Sequence, residues 1–208
     1  MVKVPVLQFN TFGMRIMPQF TDTLAGNFEA AYQTGHYDGG TPKTGYMTDF
    51  LLKWKMPFLH RLKPVLGAGW YYTSGRDPSK DTEEGWDSPF ARWGGYSLIY
   101  QTTLSYEGGG RWSNVNMYYS DLTVNPFPWL QGNLMVGYLL APVRDGGEDG
   151  NIRGWLASIR ANFQLAKSIL RKNDTLRGEF RLEMLKSGDY YPENDLAYYA
   201  RWELVYSF

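Results

Sequence analysis

The sequence contains no cysteine and only two histidines in 208 residues. Without cysteine the chain forms neither disulfides nor thiolate centres, which suits an oxidising compartment without requiring one. His36 and His60 have no Ser or Asp at a spacing that suggests a catalytic triad, and neither has a partner at metal-ligand spacing. We therefore expect that the protein is not an enzyme and that it uses no cofactor and no metal.

Net charge and long apolar runs are also missing. Twenty-one basic residues balance 21 acidic residues, so no bulk field attracts nucleic acid, and we expect no nucleic-acid partner. No apolar run reaches the roughly 18 residues that a membrane-spanning helix needs. The chain is instead rich in aromatic residues, 17% of the total, and contains 23 glycines. A membrane β-barrel is compatible with this composition, because every second residue of each strand faces a polar lumen.

The last thirteen residues, 196–208, have the clearest strand pattern in the chain. Apolar or aromatic residues recur at every second position up to Phe208, while Arg201 and Glu203 fall between them. A period of two is specific to strands, and a tilted strand of about nine to eleven residues crosses a hydrocarbon core. A terminal Phe that closes such a strand is similar to the C-terminal assembly signal of bacterial outer-membrane barrels. The alternative is the last strand of a soluble sandwich.

Similar alternation between turn-forming residues predicts an all-β fold, an antiparallel meander of nine strands. The first strand has an imperfect period, which suggests a bulge near Gly13. Charged residues fall on one face of several strands and apolar residues on the other, which predicts water on one side and lipid on the other. The predicted strands cover residues 2–17, 24–33, 46–56, 65–73, 111–124, 129–141, 154–165, 176–184 and 196–208.

The connections predict how the strands are oriented in a membrane. Barrels keep short turns in the periplasm, where the chain usually ends, and send long loops outward. With residue 208 inside, the outer loops are 35–43, 74–110, 142–151 and 187–195. The periplasmic turns are then 18–22, 57–63, 125–128 and 167–174.

Nine strands place the start of this chain outside, although single-chain bacterial barrels normally have an even number of strands. We therefore expect that it is part of a larger barrel, completed by a missing N-terminal half or by another chain. A tenth strand at Tyr96–Tyr106 is the alternative, but it would put the 35–43 loop in the periplasm and the short 57–63 turn outside.

Four segments carry a family resemblance. They read AYQTG at 31–35, KPVLGAGWYYTSGRDP at 63–78, WDSPFARWGGYS at 86–97, and GDYY followed by the strand YYARWELVYSF. From about Phe12 to Phe208 the chain resembles the C-terminal half of alginate-export-type outer-membrane porins. The resemblance implies a barrel of about eighteen strands. It also implies a bacterial outer-membrane location and a lumen that passes a polysaccharide or another polar solute, often narrowed by inward-folded loops.

The predicted lumen face mixes cations and anions, whereas alginate-type conduits resemble polyanion channels lined by Arg and Lys. As functional groups, these charges would select solutes and hold sugar hydroxyls or carboxylates. As structural groups, the charges of 177–183 would form cross-strand ion pairs with Arg201 and Glu203. The predicted pore-lining residues are Glu29, Asp49, Lys53, Lys55, Arg160, Arg177, Glu179, Arg181, Glu183, Arg201 and Glu203.

The connection at 74–110 is the candidate constriction, because a loop this long inside a compact domain is usually functional or disordered. Its aromatic residues either stack on sugars or pack the loop down, and its five carboxylates between Asp77 and Asp87 leave Ca²⁺ binding open. The predicted constriction residues are Trp86, Asp87, Phe90, Arg92 and Trp93.

Together these patterns predict one outer-membrane β-barrel segment, residues 1–208, that is surrounded by lipid. Its predicted function is a channel through which polar or anionic saccharides diffuse passively. The first alternative is a structural sleeve or scaffold inside a larger envelope assembly. The second is a self-contained nine-stranded barrel filled by ion pairs, since barrels near eight strands have room only for side chains.

Overall fold

A computed structural model describes residues 7–37, 39–88, 96–99, 112–144 and 150–208. Within these residues nine strands form one antiparallel sheet, in which each strand pairs with its neighbours in sequence. The all-β meander of nine strands is therefore confirmed. The strands are β1 Leu7–Ile16, β2 Leu24–Tyr37, β3 Pro42–Lys55, β4 Val65–Thr73, β5 Val115–Phe127, β6 Leu130–Leu140, β7 Ile152–Lys167, β8 Thr175–Ser187 and β9 Leu196–Ser207.

The two faces of the sheet differ in composition, as the period of two predicts. On β8, Phe180 and Met184 are 39% and 40% exposed, whereas Arg181 and Glu183 on the opposite face are 7% and 0% exposed. We call the face with the exposed hydrophobic side chains the outer face, and the face with the buried side chains the inner face. On β8, large apolar residues therefore meet the surroundings while Arg181 and Glu183 are enclosed.

A compact apolar cluster lies on the inner face. Ile99 and Trp112, from the long connection between β4 and β5, pack there against residues of several strands. Burial of this apolar surface holds the connection against the sheet. The strand residues of the cluster are Tyr71, Val115, Met117, Tyr119, Met135, Leu139, Leu156 and Leu185.

The sheet is open in the described residues: β1 and β9 lie at its two edges and do not pair with each other. A self-contained nine-stranded barrel would require that pairing. Among the same residues, no helix is long and apolar enough to cross a membrane.

Three predicted details are wrong. The predicted loop at 35–43 shrinks to a connection at 38–41, because β2 continues to Tyr37 and β3 begins at Pro42. The bulge expected near Gly13 is absent, since β1 and β2 pair in continuous register from Leu7 to Ile16. The turn expected at 125–128 shrinks to 128–129, because β5 continues to Phe127.

The sheet has one end with longer connections and one end with shorter ones. The long-loop end carries the connections 74–114, 141–151 and 188–195 together with the short 38–41 link, and the short-turn end carries 17–23, 56–64, 128–129 and 168–174. The β2–β3 link is thus shorter than three of the turns at the opposite end. This departs from the expectation that all long connections lie at one end of the sheet and all short turns at the other.

Candidate functional site

Residues 96–99 lie against the inner face, outside the sheet. Tyr96 Oη donates a hydrogen bond to Asp49 Oδ1 on β3 at 2.7 Å, and Tyr119 Oη on β5 donates to Tyr96 Oη at 3.1 Å. The Tyr96 ring also makes edge contacts with Tyr71 and Trp112, with ring centroids 5.4 Å and 5.8 Å apart. Burial raises the pKa of Tyr96 well above its ordinary value, so the phenol stays protonated and serves as the donor to Asp49.

The next three residues bind a carboxylate on a distant strand. Glu183 Oε2, on β8, accepts hydrogen bonds from Ser97 Oγ at 2.7 Å and from the N–H groups of Leu98 and Ile99, both at 2.9 Å. The side chain of Glu183 is fully buried, and so is Ile99 at 1% exposed. Because one short segment contacts strands from β3 to β8, the inner face curves around it.

An arginine row crosses three neighbouring strands beside this contact. Arg160 on β7 pairs directly with Arg181 on β8, and Arg181 pairs directly with Arg201 on β9. The Nε atom of Arg160 is buried and has no hydrogen-bond partner among the described residues. Three guanidinium groups thus form a band of positive charge on the inner face.

The expected cross-strand ion pairs are wrong. Glu179 lies opposite Glu203, just as Arg181 lies opposite Arg201, so like charges face each other across β8 and β9. The ion pairs run along each strand instead: Arg181 lies 3.4 Å from both Glu179 and Glu183, and Arg201 pairs with Glu203. Register, which the alternation alone does not determine, produces this arrangement.

The other predicted pore-lining residues share the inner face. Glu29 and Asp49 are cross-strand neighbours on β2 and β3, and Arg15 on β1 lies 3.8 Å from Glu29. Lys53 and Lys55 are exposed near the short-turn end of β3. The inner face therefore carries acidic groups on β2 and β3 and the arginine row on β7 to β9.

A polar cleft of about 760 Å³ lies at the short-turn end of the inner face, beyond the arginine row. Its walls come from β5, β6, β7, β8 and β9 and from the connection 128–129. Side chains of both charges and several amides face it, a set that hydrogen-bonds hydroxyl-rich solutes. The polar lining residues include Gln131, Asn162, Gln164, Arg177, Glu179 and Glu203.

Two of the five predicted constriction residues are described, and both pack against the wall. Trp86 is 7% exposed and donates from Nε1 to Ser88 Oγ at 3.0 Å. The backbone of Asp87 is held by Gln33 on β2, whose Oε1 accepts the Asp87 N–H at 2.9 Å. The other three, Phe90, Arg92 and Trp93, lie outside the described residues, as do residues 100–106 of the alternative tenth strand.

Three acidic residues of the long connection, Asp77, Glu83 and Glu84, lie within ion-pair distance of neighbouring cations. Glu83 lies 3.1 Å from Arg76, and Glu84 lies 2.8 Å from Lys80. Hydrogen bonds from the side chain and backbone of Ser79 lower the pKa of Asp77, which caps this turn. Within the described ranges, no group of three or more His, Asp or Glu residues is placed to hold a metal ion.

The sequence prediction missed the residues that bring the long connection into contact with the wall. It singled out Trp86 and Asp87 but not Ser97 and Ile99, which are 0% and 1% exposed. A pattern does exist, because Glu183 is a charge between apolar positions of β8, but its partner Ser97 lies 86 residues away. No protein-family model matches the chain, and no curated protein matches it.

Proposed function

We propose that this chain forms part of the wall of a bacterial outer-membrane β-barrel channel that passes polar or anionic saccharides by passive diffusion. The observation that carries the proposal is the inverted distribution of side chains. Trp202, Ile159 and Phe12 on the outer face are 68%, 49% and 64% exposed, while Arg181 and Glu183 on the inner face are buried. A soluble protein rarely exposes an apolar surface that extends over a whole sheet.

Aromatic side chains near both ends of the strands support a lipid environment. Amphipathic aromatic rings favour the interface between hydrocarbon and head groups, and barrels carry such girdles at both levels. Toward the long-loop end, the exposed aromatic residues are Tyr32, Tyr46, Tyr118, Trp155 and Tyr198. Toward the short-turn end, they are Phe20, Trp54, Phe58, Phe127, Trp129, Tyr206 and Phe208.

The two free edges support a barrel larger than nine strands. In hydrocarbon, each unpaired backbone group at a strand edge costs several kcal/mol. We therefore propose that further strands, from an N-terminal half or from another chain, pair with β1 and β9. The resemblance to alginate-export-type porins favours about eighteen strands in total.

The inner face supports passage of hydrated, polar solutes rather than catalysis. Guanidinium groups bind carboxylates and sugar hydroxyls through well-directed hydrogen bonds. Arg177, which is exposed and lines the polar cleft, is one donor for such a solute. The acidic groups Glu29 and Asp49 on other strands provide the opposite charge.

A structural sleeve in an envelope complex is the second candidate. The packed cluster around Ile99 and Trp112 favours it, because side chains already fill part of the inner face. A sleeve needs no continuous water path, whereas a channel does.

Conductance separates the two candidates. We would purify the barrel together with the strands that pair with β1 and β9, and reconstitute it into planar lipid bilayers to measure ion current. Reconstitution into liposomes would measure swelling in neutral and uronic saccharides. A channel gives stepwise conductance and swelling, and heat-unfolded protein is the control. Folded protein that inserts into the bilayer without conductance would contradict the channel and support the sleeve.

A further inference from the structure

We infer that Glu183 is a positioning residue that latches residues 96–99 onto the inner face and thereby sets the narrowest part of the pathway. The contact itself is a property of the structure, and its effect on passage rests on the channel proposed above. The latch joins one carboxylate on β8 to three donors, Ser97 Oγ, Leu98 N–H and Ile99 N–H.

The carboxylate of Glu183 is well suited to this role. It is fully buried, and hydrogen bonds to an ionised acceptor in a buried site are stronger than neutral ones. Its second oxygen, Oε1, lies 3.4 Å from Arg181 Nη1, so the charge has a cationic partner within the wall. Removal of the carboxylate would take away the acceptor that these three donors share, which a buried site tolerates poorly.

The opposite end of the segment has its own anchor. Tyr96 Oη donates to Asp49 on β3, five strands away from Glu183 on β8. Tyr119 adds a second hydrogen bond to the same phenol oxygen. The segment thus bridges two separated parts of the wall, and Glu183 supplies the carboxylate acceptor at the β8 end.

The bridge belongs to the apolar cluster and lies beside the arginine row through Glu183. On one side Ile99 packs with Leu156 and Leu185, and on the other side the arginine row leads to the cleft of about 760 Å³. Residues 96–99 therefore occupy part of the inner face along which a solute would move in the proposed channel. Release of the latch at Glu183 would widen this passage.

Glu179 is a matched control for Glu183. Both lie on the inner face of β8, and both are 3.4 Å from Arg181. In the described part of the chain, however, it is Glu183 that accepts the hydrogen bonds from residues 97–99. Replacement of Glu179 thus removes a partner of Arg181 without removing the latch.

Thiol labelling tests the latch directly, because the chain contains no cysteine and Ile99→Cys would introduce a single thiol. We would label this variant with a hydrophilic maleimide, alone and together with Glu183→Ala, Glu183→Gln or Glu179→Ala. Loss of the latch should make residues 96–99 leave the inner face more often, and the labelling rate should rise at least tenfold in Glu183→Ala. A tenfold rise corresponds to a decrease of about 1.4 kcal/mol in the free energy of this opening. Glu183→Gln, which keeps one acceptor oxygen, should give a smaller increase, and Glu179→Ala should give less than about a twofold change.

The outcomes are separable from those of the channel test. Equal labelling in the Glu183 variants and the parent, with the sheet intact by circular dichroism, would overturn the latch. If Glu183→Ala does not fold, the labelling rate of Glu183→Gln decides the same question. If Glu183→Ala is labelled faster but neither the parent nor any variant conducts ions, the result would contradict the channel and still support the latch. If Glu183→Ala is labelled faster than Glu179→Ala and also has a larger conductance, the result supports both the latch and the channel.

Discussion

Arg181 lies directly opposite Arg201 in the β8–β9 ladder, so two like charges are cross-strand neighbours on the inner face. Like charges in this position repel each other and destabilise a sheet. The repulsion is offset along the strands, because Arg181 pairs with Glu179 and Glu183 while Arg201 pairs with Glu203. The arrangement separates the charges into rows, with Arg160, Arg181 and Arg201 in one row and Glu179 and Glu203 in the next.

The arginine row predicts a measurable contribution to ion selectivity. Replacement of Arg201 by Gln removes one positive charge from the inner face and leaves Glu203 unbalanced. A unit charge about 9 Å from a permeating ion in water contributes about 0.5 kcal/mol, with opposite sign for cations and anions, so we expect the cation-to-anion permeability ratio to rise about fivefold. The reversal potential under a KCl gradient measures this ratio. Lys172→Gln, in the exposed turn 168–174, is the control, and an equal shift there would contradict a role for the row.

The exposed outer face predicts how a new charge is tolerated. Trp202, near the middle of β9, is 68% exposed. If lipid surrounds it, Trp202→Lys should destabilise the protein in bilayers by about 2–4 kcal/mol, the cost of Lys near the midplane of a membrane barrel. Reversible urea unfolding from lipid vesicles measures the change.

Glu203→Lys places the same side chain next to Trp202 on the opposite face. There water is the expected surrounding, and loss of the ion pair with Arg201 should cost less than about 1 kcal/mol. A water-facing Trp202 would instead accept Lys with a change of about 0.5 kcal/mol or less. That result would count against a lipid-facing outer surface.

Close packing under Tyr119 gives a prediction about stability. A Cβ added to Gly69 on β4 would collide with the ring of Tyr119, the residue that hydrogen-bonds Tyr96. We expect Gly69→Ala to destabilise the fold by about 1–3 kcal/mol, as overpacking of a core does. At Gly132 on β6 the nearest atom, Val124 Cγ2, would be 3.4 Å from the new Cβ, so Gly132→Ala is the matched control. Equal unfolding free energies for the two variants would contradict the packing argument.

The number and order of the strands could be predicted from sequence because alternation is a local property of each segment. The C-terminal end of β2 could not, because glycine is typical of turns and Gly35 is therefore predicted to lie in the loop. In the structure Gly35 lies within the β1–β2 ladder, and a Cβ there would collide with Phe9. Glycine at this position allows two strands to approach closely rather than to turn.

The charged inner face could also be predicted, but not the contacts within it. Which residues face each other depends on register, and register depends on turn lengths and bulges such as the shift between Gln164 and Ala166. The contact between Glu183 and residues 97–99 joins positions more than 80 residues apart in sequence. No local pattern carries such information, so the latch is visible only in the folded chain.

The turn between β7 and β8 is organised by one carboxylate. Burial by itself would raise the pKa of Asp174, but hydrogen bonds from Tyr206 Oη and from the N–H groups of Leu170, Arg171 and Ile169 lower it to about 2. The distances of these bonds lie between 2.5 Å and 2.8 Å. The ionised form of Asp174 therefore holds the turn and ties it to the end of β9.

This carboxylate predicts a loss of stability in acid. Because the folded-state pKa of about 2 lies below the ordinary value of 3.8, the stabilisation is fully present above pH 3.8 and is lost as the pH falls toward 2. We expect the melting temperature in detergent to fall over this range in the parent, and Asp174→Asn to be less stable at neutral pH with a smaller dependence on acid. Asp22→Asn, at an exposed position of the turn 17–23, is the control and should follow the parent. An Asp174→Asn protein that loses as much stability between pH 5 and pH 2 as the parent would show that other groups control acid unfolding.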